Sequence, residues 1–213
     1  MDKLLTKEEI RVVGSLIEKQ LTTPDYYPLT LNALTNACNQ KSNREPIVNY
    51  SEKTVIRAID SLRIQEYVQL FRGPDTRVEK YEQSFTKRLQ LTPQEVAVLC
   101  TLMLRGHQTV GELRVRAGRL YPFESIDEVQ QTVERLIEQA LAIGMPRQIG
   151  QKEIRYAHLL AGEPSVQQVE NDPKKTPVDG QDRIEALALE LMALRQEIES
   201  LKEQFRAFKL QFE

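Results

Sequence analysis

SEKTVIRAIDSLRIQEYVQLFRGPDTRVEKY, residues 51–81, is the stretch on which the fold turns. Val55, Ile59 and Leu62 recur at i, i+4 and i+7, the period of one helix face. After Glu66 the pattern changes to short runs of β-branched and aromatic residues around a Gly73-Pro74-Asp75 turn. A helix running into a two-stranded hairpin is the last half of a winged helix-turn-helix.

The segments before it supply the first half. Residues 5–20 are expected to form a helix. Thr6 and Glu9 make a capping box, and Ile10, Val13, Leu16 and Ile17 form its buried stripe. Residues 21–28, LTTPDYYP, read as a loop. Residues 30–39 read as a short second helix with Leu31, Leu34 and Cys38 on one side. The polar segment NQKSNREPIVNY, residues 39–50, carries Lys41 and Arg44, and Pro46 stops any helix there. Ser51 caps the third helix, and residues 84–90 are a link.

The pattern then recurs. Leu91-Thr92-Pro93-Gln94-Glu95-Val96 restates Leu5-Thr6-Lys7-Glu8-Glu9-Ile10, with cap, first-turn proline and capping-box partner all present. A short helix follows over residues 109–117, and Ser125-Ile126-Asp127-Glu128 reads as a further capping box. Val129, Val133 and Leu136 fall where Val55, Ile59 and Leu62 fell, and Gln139 matches Gln65. A second hairpin is expected over residues 141–159, turning near Gly150. The first copy holds twelve extra residues before its third helix, around Asn43-Arg44-Glu45-Pro46.

The expected fold is therefore mainly α with small β-hairpin wings: two tandem winged helix-turn-helix domains, residues 1–84 and 85–160. A Pro- and Gly-containing linker follows over residues 161–181, and then a C-terminal coiled-coil helix, 182–213. In that helix Ile184, Leu191, Ile198, Phe205 and Phe212 are spaced by seven. Leu187, Leu194, Leu201 and Phe208 fill the other seam position. β-Branched residues at a with leucine at d favour a parallel two-stranded coil. Glu190 would then face Arg195, and Glu197 would face Lys202, across the pair. Such exposed pairs are worth only ~0.2–1 kcal/mol, so the apolar seam must hold the helices together. Self-association through these residues is the expectation.

Composition narrows the function. The chain has 213 residues, 28% charged and 40% hydrophobic, with a net charge of -2, so no global basic field announces nucleic acid. The longest uncharged apolar run, VAVLCTLML at 96–104, is far short of the ~20 residues of a membrane span. MDKLLTKEEI does not read as a signal peptide. Cys38 and Cys100, each within an apolar helical pattern, read as buried small hydrophobes and not as a disulfide. A cytoplasmic protein with no membrane association is expected.

GSLIEKQLTTPDYYPLTLNALTNACNQKSNREPIVNY, residues 14–50, closely resembles the YceH-like family of uncharacterised bacterial proteins, and the resemblance runs to about residue 160. It implies two winged-helix domains in tandem. It implies no activity and no functional residues, and the coiled-coil reading rests on the heptads alone.

Catalytic signatures are lacking. His107 and His158 stand without Cys or carboxylate at ligand spacing, and a zinc site takes about four ligands. The nine glycines are scattered, so no phosphate loop is formed. No nucleophile elbow is present. The expectation is a non-enzymatic protein without metal or cofactor.

The third helix of such a domain usually enters the major groove. With Val55, Ile59 and Leu62 inward, Lys53, Arg57, Asp60, Ser61 and Ile64 project outward. Lys53, Arg57 and Ser61 suit phosphate or base contacts. Lys41 and Arg44 in the preceding loop, and Arg72, Arg77 and Lys80 on the wing, extend the DNA-contact candidates. Residues 39–81 carry eight basic and six acidic residues, a small excess. The same projection in the second copy gives Asp127, Gln131, Glu134, Arg135 and Glu138, an acidic face that would repel phosphate. Arg114, Arg116, Arg119, Arg147 and Arg155 lie elsewhere on that copy. The expected function is a dimeric DNA-binding protein of transcription-regulator type acting on double-stranded DNA through its first domain. The alternative is an adaptor that docks another protein on its winged helices.

Overall fold

The computed structural model describes residues 4–71, 78–147 and 153–164. The two wing turns, Arg72 and Arg77, and the heptad segment from Ile184 to Phe212 lie outside the described residues.

The first helix, α1 (Lys7–Thr22), begins where its sequence cap predicts. Thr6 accepts the Glu9 N–H through its hydroxyl, and the Glu9 carboxylate accepts the Thr6 N–H. A short strand β1 (Leu29–Thr30) leads into α2 (Leu31–Cys38), capped by Thr30. Loop 39–50 follows, then α3 (Glu52–Ile64), capped by Ser51. Strands β2 (Val68–Phe71) and β3 (Lys80–Gln83) pair antiparallel with Val68 opposite Gln83 and Phe71 opposite Lys80. β1 adds to the outer edge of β3, giving a three-stranded sheet in the order β1-β3-β2.

The same order then repeats. A one-turn helix α4 (Phe85–Arg88) leads to α5 (Pro93–Arg105), α6 (Val110–Ala117) and α7 (Ile126–Glu138). The strands β4 (Ala142–Gly144) and β5 (Tyr156–His158) pair antiparallel, and Gln108 bridges to Tyr156 much as β1 adds to β3. The repetition reaches individual hydrogen bonds. Gln65, at the C-cap of α3, donates to Glu9 at 3.4 Å; Gln139, at the C-cap of α7, donates to Glu95 at 2.9 Å. Each Glu belongs to the capping box of its own half. Glu66 and Ala140, one residue further on, both take the left-handed conformation, with φ 59° and 55°. One cap departs from expectation. Ser125 accepts the Glu128 N–H, but the Glu128 carboxylate accepts from Glu124 and so closes no capping box with Ser125.

The helices are held by burial. Val55, Ile59 and Leu62 are buried on α3, and Val129, Val133 and Leu136 on α7, at ~1.5–3 kcal/mol per large side chain. Helices α1 and α5 pack against one another, and both are buried on nearly every side. Their approach is close at Gly14, where a Cβ would lie 3.0 Å from Leu104 Cδ2 and 3.4 Å from Met103 Cβ. The described residues all fall in one compact unit, Met1–Pro164. Cys38 and Cys100 are free and buried, as expected of small hydrophobes. Burial pushes the Cys38 thiol up to about 11 and the Cys100 thiol higher still, so neither is a nucleophile at neutral pH. Among the described residues, no helix is long and apolar enough to cross a membrane.

Candidate nucleic-acid interface

Helix α3 buries the face carrying Val55, Ala58, Ile59 and Leu62, so the opposite face is presented to solvent. Lys53, Arg57, Asp60 and Ile64 are exposed on it, and Ser61 is half-buried. Among the described residues, neither Lys53 nor Arg57 is paired with a carboxylate. Asp60 lies 3.9 Å from Arg63, an exposed pair that draws its charge away from the two cations only weakly. Ile64 is 85% exposed, which interrupts the polar surface at the C-terminal end.

Lys41 is exposed in loop 39–50. The ends of that loop are tied by reciprocal hydrogen bonds. Asn39 Nδ2 donates to Tyr50 O at 2.8 Å, and Tyr50 N–H donates to Asn39 Oδ1 at 2.7 Å. Lys80 is half-buried on β3, between Thr30 and Phe71 of the neighbouring strands.

Arg44 corrects the expectation. It is 6% exposed and its guanidinium points into the protein. Nε and Nη2 donate to Ala37 O at 3.2 and 2.9 Å. Nη2 also donates to Glu18 Oε2 at 2.6 Å and to Gln40 Oε1 at 3.0 Å, and Nη1 donates to Asn43 O. Buried and turned inward, this guanidinium does not face a DNA phosphate. The physical reason is the buried carboxylate of Glu18 on α1, 2% exposed, which must be paired to be tolerated.

The twelve residues peculiar to the first copy thus form a clamp. The Glu45 N–H donates to Leu104 O at 2.8 Å, satisfying one of the open carbonyls at the end of α5. Arg11 of α1 holds the same loop through Pro46 O at 2.7 Å and the end of α2 through Cys38 O at 3.2 Å. From the second half, Arg105 donates to Asn43 Oδ1 and Arg119 to Glu18 Oε1. Sequence reading took loop 39–50 as a polar segment and placed Lys41 and Arg44 among the DNA-contact candidates. The loop's partners lie up to 62 residues away, beyond any local pattern.

The matching face of α7 exposes Asp127, Gln131, Glu134 and Glu138. Arg135, expected to project with them, reaches back instead to Glu95 at 3.5 Å and to Thr132 at 3.1 Å. That leaves the face acidic. Arg155 is likewise engaged, pairing with Glu112 at 2.8 Å. His107 and His158 both have their pKa lowered by burial, His158 to about 4, so both are neutral at pH 7. Among the described residues, no group of three or more His, Cys, Asp and Glu converges as metal ligands.

A family described as "Protein of unknown function, DUF480" matches residues 5–151. The chain belongs to this family. The match agrees with the resemblance carried by residues 14–50, and it runs from α1 past β4. A UPF0502 protein of Opitutus terrae is 51% identical over 179 residues, covering 83% of this chain and 78% of that relative. A UPF0502 protein of Solibacter usitatus is 46% identical over 213 residues, the whole of both chains. The family's match therefore includes the Asn43–Pro46 clamp and the α3 face together.

Proposed function

We propose that the protein is a non-enzymatic DNA-binding protein of transcription-regulator type, built from two tandem winged helix-turn-helix domains. Contact runs through α3 of the first half, and the C-terminal heptads pair two chains as a parallel coiled coil. The observation that carries this reading is that Lys53 and Arg57, unpaired among the described residues, lie one helical turn apart on the solvent face of α3, with Ser61 a turn further on and Lys41 in the preceding loop. A helix in the major groove meets phosphates and base edges with such side chains. The second half is the packing partner, since its acidic α7 face would repel phosphate.

The test is a binding titration against salt on double-stranded DNA. Replacing Lys53 and Arg57 together by alanine is expected to flatten the slope of log K against log salt by roughly 1 per lost phosphate contact. An unchanged slope would remove these residues from the interface. For the coil, sedimentation is expected to give a dimer for the full chain and a monomer for a chain ending at Gly180. A monomeric full chain at micromolar concentration would refute the pairing.

A second reading is an adaptor that docks another protein. The exposed Ile64 on α3, and Val115 at 81% exposure on α6, favour it, together with the acidic α7 face. Absence of binding to any duplex at low salt, alongside a stoichiometric protein partner, would decide for it.

A further inference from the structure

The seam between the halves carries more positive charge than packing needs. Around the buried Glu18 stand Lys19, Arg44 and Arg119. The contacts continue by way of the main-chain carbonyls of Asn43 and Arg105. Arg44 donates to Asn43 O, and Asn43 Oδ1 accepts from Arg105. Arg105 O accepts from Gln108 Nε2, and Gln108 Oε1 accepts from Arg116. Five cations thus meet on one connected network. The carboxylates paired with them are Glu18 and Glu112, and Glu112 is shared with Arg155. Among the described residues, Arg105 has an amide partner and no carboxylate.

Three of the guanidiniums stay open to solvent. Arg105 is half-buried, Arg116 is a quarter exposed, and Arg119 is 43% exposed. Burial lowers the Arg105 pKa, and the charges of Arg116 and Arg119 lower it further. Arg105 holds Asn43 and Arg119 holds Glu18, and Arg44 spans these two residues, so the guanidiniums of Arg105 and Arg119 flank one buried cation. In a protein of net charge -2, such a cluster is not a general property of the surface. Each guanidinium is a rigid fork of donors with one or two directions used, and phosphate oxygens match such forks.

We propose that Arg105, Arg116 and Arg119 form a phosphate-binding site at the seam, with Glu18 and Asn43 fixing two of the forks from the first half. Its ligand is a phosphate group, from the backbone of a nucleic acid or from a free polyphosphate such as a nucleotide. The site stands on the seam geometry and is independent of the reading of α3.

The experiment uses the full chain with two probes, inorganic pyrophosphate and a short mixed-sequence duplex. Pyrophosphate is expected to bind by calorimetry and to raise the Tm. Substituting R105Q and R116Q together should weaken it by about tenfold or more, while K53A with R57A leaves it unchanged. If R105Q/R116Q also flattens the duplex salt slope by roughly 2, backbone phosphates occupy the site. If duplex binding is unaffected while pyrophosphate binding is lost, a free polyphosphate does. Should the glutamine variant fail to fold, R105K/R116K keeps the charge and is expected to retain pyrophosphate binding within a few-fold. Failure of the wild-type chain to bind either probe, or wild-type binding of both probes by a folded R105Q/R116Q chain, overturns the proposal.

Discussion

Replacing Arg44 by alanine is expected to lower the unfolding free energy by about 3–5 kcal/mol, read from urea denaturation of the full chain. The substitution leaves the carboxylate of Glu18 without its buried partner at 2.6 Å. It also strips donors from the carbonyls of Ala37 and Asn43. Arg119 still reaches Glu18, but it is 43% exposed, and solvent screens what it can return. The outcome separates two roles for this residue. An arginine that contacted DNA from the surface would change stability by within about ±0.5 kcal/mol when removed. A loss below about 1 kcal/mol would therefore refute the clamp. Arg44→Lys is expected to fall between, since an ammonium replaces the charge but not the fork that spans Ala37, Gln40 and Glu18.

Phe85→Ala should cost about 3–5 kcal/mol as well, measured by thermal unfolding at fixed pH. Phe85 is completely buried, and its ring meets Tyr67 edge to face at 5.1 Å between centroids. Arg88, one turn on, covers the other ring at 5.8 Å and pairs with Glu66. Truncating the phenyl group removes both transfer energy and packing, because a close-packed interior relaxes only partly around the gap. Phe85→Leu should lose less than half as much, since most of the volume is kept. A small cost for the alanine change would mean that the segment after β3 is a mere link. Its position suggests that reading; its burial opposes it.

Much of the fold is legible in the sequence because it depends on near neighbours. Thr6 with Glu9 and Thr92 with Glu95 reach each other within one turn, so their capping boxes follow from spacing alone. Val55, Ile59 and Leu62 define the inward face of α3, and the outward face carrying Lys53 and Arg57 follows by subtraction. The repeat is equally plain, down to Gln65 and Gln139 on their matching glutamates. Phe85 was not legible, since one aromatic residue in a polar link carries no period. Arg135 was not legible either. It lies on the outward side of α7 by angle, yet its long side chain bends back to Glu95.

The sequence by itself determined the family, the helix-and-hairpin order, the two copies and the inward faces of α3 and α7. Those features rest on interactions three or four residues apart, or on a period that one element displays alone. Only the tertiary structure decided what the twelve additional residues of the first copy do. A polar loop with an arginine looks like surface until Glu18, Leu104 and Arg105 are placed beside it, and those partners come from distant turns of the chain. Burial of Glu18 then turns Arg44 inward, because an unpaired charge in the interior costs more than any single contact outside could return.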